Sequence, residues 1–151
     1  MNLLKEEYII LEIIPTAVDP TRGDIIQLSA LKLKGLNLKE RFDYRLREDL
    51  IAIPDFIKMI SYDKEQFTYQ NSTKEILDSF AKWSNNLPLL IIDNQYTLNY
   101  LQKLPNYKES IFNYLDTKYN DNIIEELISK YQLQPSNHIV DLLYESLIKH
   151  L

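Results

Sequence analysis

The hydrophobic pattern in the first third of the chain predicts three consecutive strands. Residues 8–14 form a short, isoleucine-rich apolar run that ends at Pro15, as is typical of a buried strand. Residues 25–46 then alternate apolar and polar positions on both sides of Gly35, which predicts a β-hairpin. We therefore expect the second and third strands to be antiparallel.

The rest of the chain predicts helices that alternate with strands. Ser72 and Glu75 form a capping-box pattern ahead of a helix with Ile76 and Phe80 on one face. Residues 87–93 are apolar on both faces, as in the centre of a parallel sheet. A further strand is predicted for residues 110–117, and further helical segments for residues 53–60, 94–103, 122–135 (broken by Pro135) and 137–151. This order predicts a single α/β domain over residues 1–151, with a mixed sheet of about five strands and helices on both faces.

Composition and charge narrow the classes of function. The chain has no cysteine, which excludes disulfides and thiolate metal sites, and only two glycines, which excludes a glycine-rich phosphate loop. The net charge of −5 carries no basic block and argues against tight binding of nucleic acid. The N-terminal residues lack the features of a secretion signal, and no apolar run could span a bilayer. We therefore expect a cytoplasmic protein without membrane partners. We also expect the protein to be bacterial.

Four segments carry a resemblance to a known family. They are YIILEIIPTAVDPTRGDIIQLSALKLKG, IPDFIKMISYDKEQF, LPLLIIDNQYTLNYL and LDTKYNDNIIEELISKYQLQPSNHIVDLL, in that order along the chain. In order and spacing they resemble the DnaQ-like DEDDh 3′–5′ exonucleases of the ribonuclease H-like fold, over nearly the whole chain. The resemblance implies a sheet in which the strands that carry Glu12 and Asp93 are adjacent.

The resemblance also implies a two-metal hydrolase site, in which four acids bind two divalent cations and a histidine acts as general base. Only one acid position matches here, as Glu12, whereas the other three positions are Ile14, Thr97 and Leu143. His138 matches the histidine. We expect these five positions to form a vestigial cleft without bound metal. Asp93, at a strand end, is a candidate displaced ligand.

Three hypotheses about function remain open. The first is a catalytically inactive exonuclease-fold protein that binds a protein partner or regulates one. The second is a metal-dependent exonuclease on DNA or RNA, which would need Mg²⁺ or Mn²⁺ and displaced carboxylates. The third is a nucleic-acid binder without cleavage, for which tyrosines could stack on bases.

Two side-chain types allow both a structural and a functional interpretation. Glu12 is either a remnant of a ligand set or a partly exposed strand-end acid paired with a lysine or a backbone donor. Arginines near the hairpin fit a solvated strand face at least as well as a phosphate track; they are Arg22, Arg41, Arg45 and Arg47.

Overall fold

The computed structural model describes most of the chain. The described residues are 2–47, 67–93, 95–104, 107, 110–118, 123–136 and 138–151, with the backbone alone for residues 93, 95, 96, 113–118 and 123. The helical turns predicted for residues 53–60 lie outside this part of the chain. None of the described helices is long and apolar enough to cross a membrane.

The described strands form one mixed sheet. They are β1 (Glu7–Pro15), β2 (Ile25–Lys34), β3 (Asn37–Leu46), β4 (Thr68–Gln70), β5 (Leu89–Asp93) and β6 (Ile111–Lys118), in the order β4-β3-β2-β1-β5-β6. Strand β2 runs antiparallel to both β1 and β3, and β5 runs parallel to both β1 and β6. This confirms the predicted hairpin and the predicted adjacency of the strands that carry Glu12 and Asp93.

Four helices of the described residues cover the two faces of this sheet. They are α1 (Thr73–Ser84), α2 (Gln95–Leu101), α3 (Ile123–Tyr131) and α4 (Ile139–His150). Buried side chains of α1 and α2 pack on one face with Ile9 and Leu11 of β1. Those of α3 and α4 pack on the other face with Tyr8 and Ile10. Because side chains alternate between faces along a strand, one short strand supplies both cores.

Helix α1 begins at the predicted cap. The Ser72 hydroxyl accepts a hydrogen bond from the Glu75 amide at 3.2 Å, which satisfies one of the unpaired N–H groups of the first turn. The Glu75 carboxylate accepts from the Asn71 amide at 3.3 Å, one residue before the position a reciprocal capping box would use. The first half of the predicted capping box is therefore present.

Two details differ from the expectation. The mixed sheet with flanking helices is confirmed, with six described strands where about five were expected; the additional strand, β4, is only three residues long and too short to show a period-2 pattern. Helix α3 ends at Tyr131, before Pro135. Gln132 takes a left-handed backbone conformation (φ 53°), which ends the helix three residues before the proline.

Candidate functional site

One end of the sheet face beneath α4 is polar. The register places Glu12 opposite Ser29 and Ser29 opposite Asp43, so these three side chains form a row across β1, β2 and β3. In the neighbouring row, Gln27 lies opposite Arg45. All five residues are buried, and we call them the polar layer. The apolar core under α4 thus gives way to polar groups at this end of β1.

Both oxygens of the Glu12 carboxylate contact groups at the start of α4. One oxygen contacts Nδ1 of His138 at 3.3 Å, and the other accepts a hydrogen bond from the Ile139 amide at 3.2 Å. His138 is the N-cap residue but makes no side-chain capping bond, so Glu12 from β1 supplies an acceptor for the helix N-terminus. A carboxylate is also stabilised there by the helix dipole.

Glu12 is therefore more buried than the sequence suggested. Its side chain is 4% exposed, whereas we expected a partly exposed acid. The expected backbone donor is present as the Ile139 amide, and the side-chain partner is a histidine rather than a lysine. The hydrogen bond to Glu12 raises the pKa of the His138 imidazole above its ordinary value, against the opposing effect of burial. The contact with Glu12 thus favours the protonated form of the imidazole.

A second charged group, the guanidinium of Arg41, joins β3 to α4 through ion pairs. The Arg41 guanidinium donates to both oxygens of Asp141 at 2.7 and 3.3 Å, and its Nε donates to Asp43 at 2.7 Å. Asp43 is 5% exposed at its side chain, whereas Arg41 is 33% and Asp141 35% exposed. Although burial opposes its charge, the two carboxylates raise the pKa of Arg41 above its ordinary value. One guanidinium thus joins two carboxylates from different elements.

The arginines near the hairpin do not share one solvated face. Arg45 is fully buried in the polar layer, and Arg41 is held between two carboxylates. Arg22 is exposed in the loop after β1, where it lies 3.9 Å from Asp19. The expectation of a solvated strand face was therefore wrong for Arg45.

The structure brings some of the predicted cleft positions together. Glu12 and His138 are in contact, and Ile14 shares the face of Glu12 by strand alternation. Leu143 is buried on the same face, in the core that contains Tyr8 and Ile10. Leu143 and Ile14 thus lie on the same side of the sheet.

The remaining predicted positions are less closely tied to this face. Thr97 is buried in α2, a helix whose Tyr100 and Leu101 pack on the opposite face of the sheet. Asp93 is the last residue of β5, and its side chain lies outside the described part of the chain. The convergence of all five positions and the role of Asp93 as a displaced ligand stay predictions.

The acids of the loop after β1 accept hydrogen bonds from within that loop and from the first residue of α1. Asp19 accepts hydrogen bonds from the amide and hydroxyl of Thr21 at 2.9 and 2.8 Å. Asp24 accepts from the Thr73 hydroxyl at 3.2 Å. The loop is also fixed by Tyr100, whose hydroxyl donates to the carbonyl of Ala17 at 2.9 Å; burial and the two nearby acids raise the pKa of this phenol to about 12.

The groups around Glu12 do not fit a pair of divalent cations. Ile14 and Leu143 have no ligand atoms, and both oxygens of Glu12 already bind His138 and Ile139. Among the described residues, no group of three or more histidine or acidic side chains is placed to hold a metal ion. Hard cations take several oxygen ligands, which this arrangement does not offer.

Comparison with solved structures identifies the architecture. A product-bound structure of exonuclease I matches with a TM-score of 0.61 and 11% identity, over 96% of this chain and 43% of that chain. The fold is that of exonuclease I. The zinc-bound form of an E. coli exonuclease I complex with single-stranded DNA matches with a TM-score of 0.50 and 10% identity, over 95% of this chain and 39% of the other.

These matches concern the fold alone. None of the family models matches the chain, and none of the curated proteins does. The chain spans less than half the length of the two exonuclease I structures that it matches. The ribonuclease H-like exonuclease fold is established, and the activity must be argued from the residues.

The sequence singled out Glu12 and His138 as candidate site residues, but it did not indicate that Arg41 pairs with Asp43 and Asp141. A signal was present in β2, where Gln27 and Ser29 stand at positions that alternate with buried apolar residues. Inward polar positions of that kind indicate a polar layer. The partner of Arg41 on α4 lies 100 residues away along the chain, and no local pattern reveals such a pair.

Proposed function

We propose that this chain is a single-domain, catalytically inactive exonuclease-fold protein that acts as a binding or regulatory module. The observation that carries the proposal is the state of Glu12, the one acid that matches the resembled site. Its two oxygens are bonded to His138 and to the Ile139 amide, both from α4. A metal ion could take this carboxylate only if those contacts were given up.

Charge arithmetic supports the same proposal. Two divalent cations would bring a charge of +4, and four acids would offset it, whereas Glu12 supplies −1. Asp43, in the same row of the sheet as Glu12, and Asp141 of α4 already share the cation Arg41. Unbalanced charge in a partly buried site costs on the order of several kcal/mol, so we expect no paired-metal state at millimolar magnesium.

The first test measures metal binding through stability. A ligand that binds only the native state raises the melting temperature with its concentration, whereas one that does not bind leaves it unchanged. We expect millimolar Mg²⁺ or Mn²⁺ to leave the melting temperature where Na⁺ at equal ionic strength leaves it. A rise specific to the divalent ions, absent from Glu12→Ala, would favour the alternative of an exonuclease with displaced carboxylates.

A nucleic-acid binder without cleavage is the second candidate. One of the matched exonuclease I structures is a complex with single-stranded DNA, which makes a strand a reasonable ligand to test. The net charge of −5 opposes such binding, because affinity for nucleic acid comes largely from phosphate neutralisation. Fluorescence anisotropy with a labelled single-stranded oligonucleotide at low salt separates the candidates: saturable binding favours this one, and no binding favours a protein partner.

A further inference from the structure

Strand β3 forms an edge of the described sheet over much of its length. Strand β4 pairs with it only at Tyr44–Leu46, through Thr68–Gln70. Within the described part of the chain, no strand pairs with the outer side of β3 from Asn37 to Asp43. An unpaired edge presents backbone N–H and C=O groups to which a further strand can bind.

The backbone groups of Arg41 and Asp43 point outward at this edge. In an antiparallel pair, every second residue directs its N–H and C=O groups away from the partner strand. The Arg47 amide donates to the Gln70 carbonyl at 3.1 Å, on the side of β4. Counting back in steps of two along the regular register with β2, Arg45, Asp43 and Arg41 share this outward direction. Strand β4 does not reach as far as Arg41.

The far end of the edge is protected against pairing with another chain. The register of β2 and β3 shifts between Lys32 and Leu33, where Lys39 has no residue opposite it. Bulges and lysines of this kind keep sheet edges from pairing with other chains. The stretch from Glu40 to Asp43 is regular, and it is left open between this bulge and β4.

A groove of about 500 Å³ lies along the open stretch. Four of its lining residues are consecutive on β3, and consecutive side chains of a strand point to opposite faces of the sheet. The groove therefore follows the edge of the strand, where a longer β4 would lie. Its lining residues are Arg41, Phe42, Asp43 and Tyr44 of β3, Thr68 of β4 and Trp83 of α1.

On the α1 side, the groove is bounded by an aromatic wall of Phe42, Tyr44 and Trp83. The ring of Phe42 stacks on Tyr44 with a centroid distance of 4.3 Å and lies 5.0 Å from the ring of Trp83. Aromatic rings gain from burial against apolar groups. This wall favours an apolar side chain.

On the other side, the groove is acidic. The Arg41 guanidinium is shared by Asp43 and Asp141, so the three side chains leave one negative charge unbalanced. Within the described part of the chain, Oδ1 of Asp43 is buried and accepts no hydrogen bond. The whole chain carries a net charge of −5. A basic side chain complements this side.

We propose that the stretch Glu40–Asp43 is the docking site for an extended peptide of a protein partner, which adds a strand beside β3 and alternates apolar with basic side chains. Main-chain bonds to Arg41 and Asp43 provide affinity, and the two sides of the groove provide specificity. The proposal rests on the binding role proposed above and names its partner class. Nuclease activity that depends on Glu12 would refute that role, whereas peptide binding tests the docking site separately.

Trp83 supplies the readout, because it is the only tryptophan of the chain and lines the groove. The probe is a blocked seven-residue peptide of alternating valine and lysine. We expect it to change the Trp83 emission saturably and to slow hydrogen exchange at the Arg41 and Asp43 amides. Glutamate in place of lysine, or two adjacent prolines at the centre of the peptide, should weaken binding at least about 10-fold.

Asp43→Asn removes a charge from the acidic side and should weaken binding of the lysine peptide about 3- to 10-fold. Asp78→Asn is the matched control, because Asp78 is 59% exposed on α1 and does not line the groove; it should leave the affinity unchanged. If Asp43→Asn fails to fold, the comparison of the three peptides on the wild type decides.

Two results would overturn the docking site. The first is the absence of saturable binding by the lysine peptide, or equal affinities for all three peptides. The second is protection of the Arg41 and Asp43 amides that grows with protein concentration in the absence of peptide, which would assign this edge to a second copy of the chain.

Discussion

Glu12 is the residue on which the interpretation of the site turns. A carboxylate that is 4% exposed would be costly without partners, and both of its oxygens have one. Its position in an otherwise apolar strand is visible in the sequence, and so is the histidine that resembles a catalytic base. What the sequence does not reveal is that these two residues bind each other, because they are 126 positions apart.

Replacing Glu12 with glutamine should destabilise the fold by about 1 to 3 kcal/mol, because the charge-assisted bonds to His138 and Ile139 are weakened in a buried site. Denaturant unfolding measures this change. Glu7→Gln is the matched control on the same strand; Glu7 is exposed, so its replacement should change the free energy of unfolding by less than about 0.5 kcal/mol. Equal effects of the two substitutions would contradict a structural role for Glu12.

The same pair predicts a pH dependence. Because Glu12 raises the pKa of His138 above 6.5, the folded state holds the proton more tightly than the unfolded state does. This stabilisation is fully present below the unfolded pKa and is lost as the pH rises through the higher folded pKa. The difference in free energy of unfolding between wild type and Glu12→Gln should therefore shrink across that range.

An NMR titration of the His138 ring provides the direct check of this linkage. Its midpoint should lie above 6.5 in the wild type and should fall in Glu12→Gln. A midpoint that the substitution leaves unchanged would show that Glu12 does not hold the proton on His138.

At the scale of elements, long periodic segments were predictable and short or irregular ones were not. Strand β1, the hairpin of β2 and β3, and helix α4 follow from their apolar spacing. Strand β4 gave no such signal, because three residues cannot display a period and its pairing with β3 is set by the tertiary structure. The end of α3 likewise depends on one left-handed residue, Gln132.

The cap of α1 gives a prediction at this scale. Ser72→Ala removes the acceptor of the Glu75 amide and should lower the free energy of unfolding by about 1 kcal/mol. Lys74→Ala, in the same turn, is the control; its side chain is exposed and pairs with the exposed Asp78, so the change should be smaller. Denaturant unfolding compares them, and a larger loss for Lys74→Ala would show that Ser72 does not cap the helix.

At the scale of the whole molecule, the antiparallel hairpin and the adjacency of the strands that carry Glu12 and Asp93 were predicted, but the polar character of one end of the sheet was not. Strand alternation places Glu12, Ser29 and Asp43 on one face, yet their alignment depends on the registers of two strand pairs. Arg41 bonds to both Asp43 and Asp141 and so joins β3 to the last helix. Contacts of this kind arise only when distant segments pack, which is why no local pattern in the sequence reveals them.

The measurement that tests the proposed loss of activity most directly is degradation of a 3′-labelled single-stranded oligonucleotide, as DNA and as RNA, with Mg²⁺ or Mn²⁺. We expect the purified protein to release no labelled nucleotide from the 3′ end, because Glu12 is bonded to α4 and Ile14 and Leu143 offer no ligand atoms. The Glu12→Ala variant is the control for contaminating nucleases. Degradation by the wild type that this variant abolishes would contradict the proposal and would make Asp93 the first displaced ligand to examine.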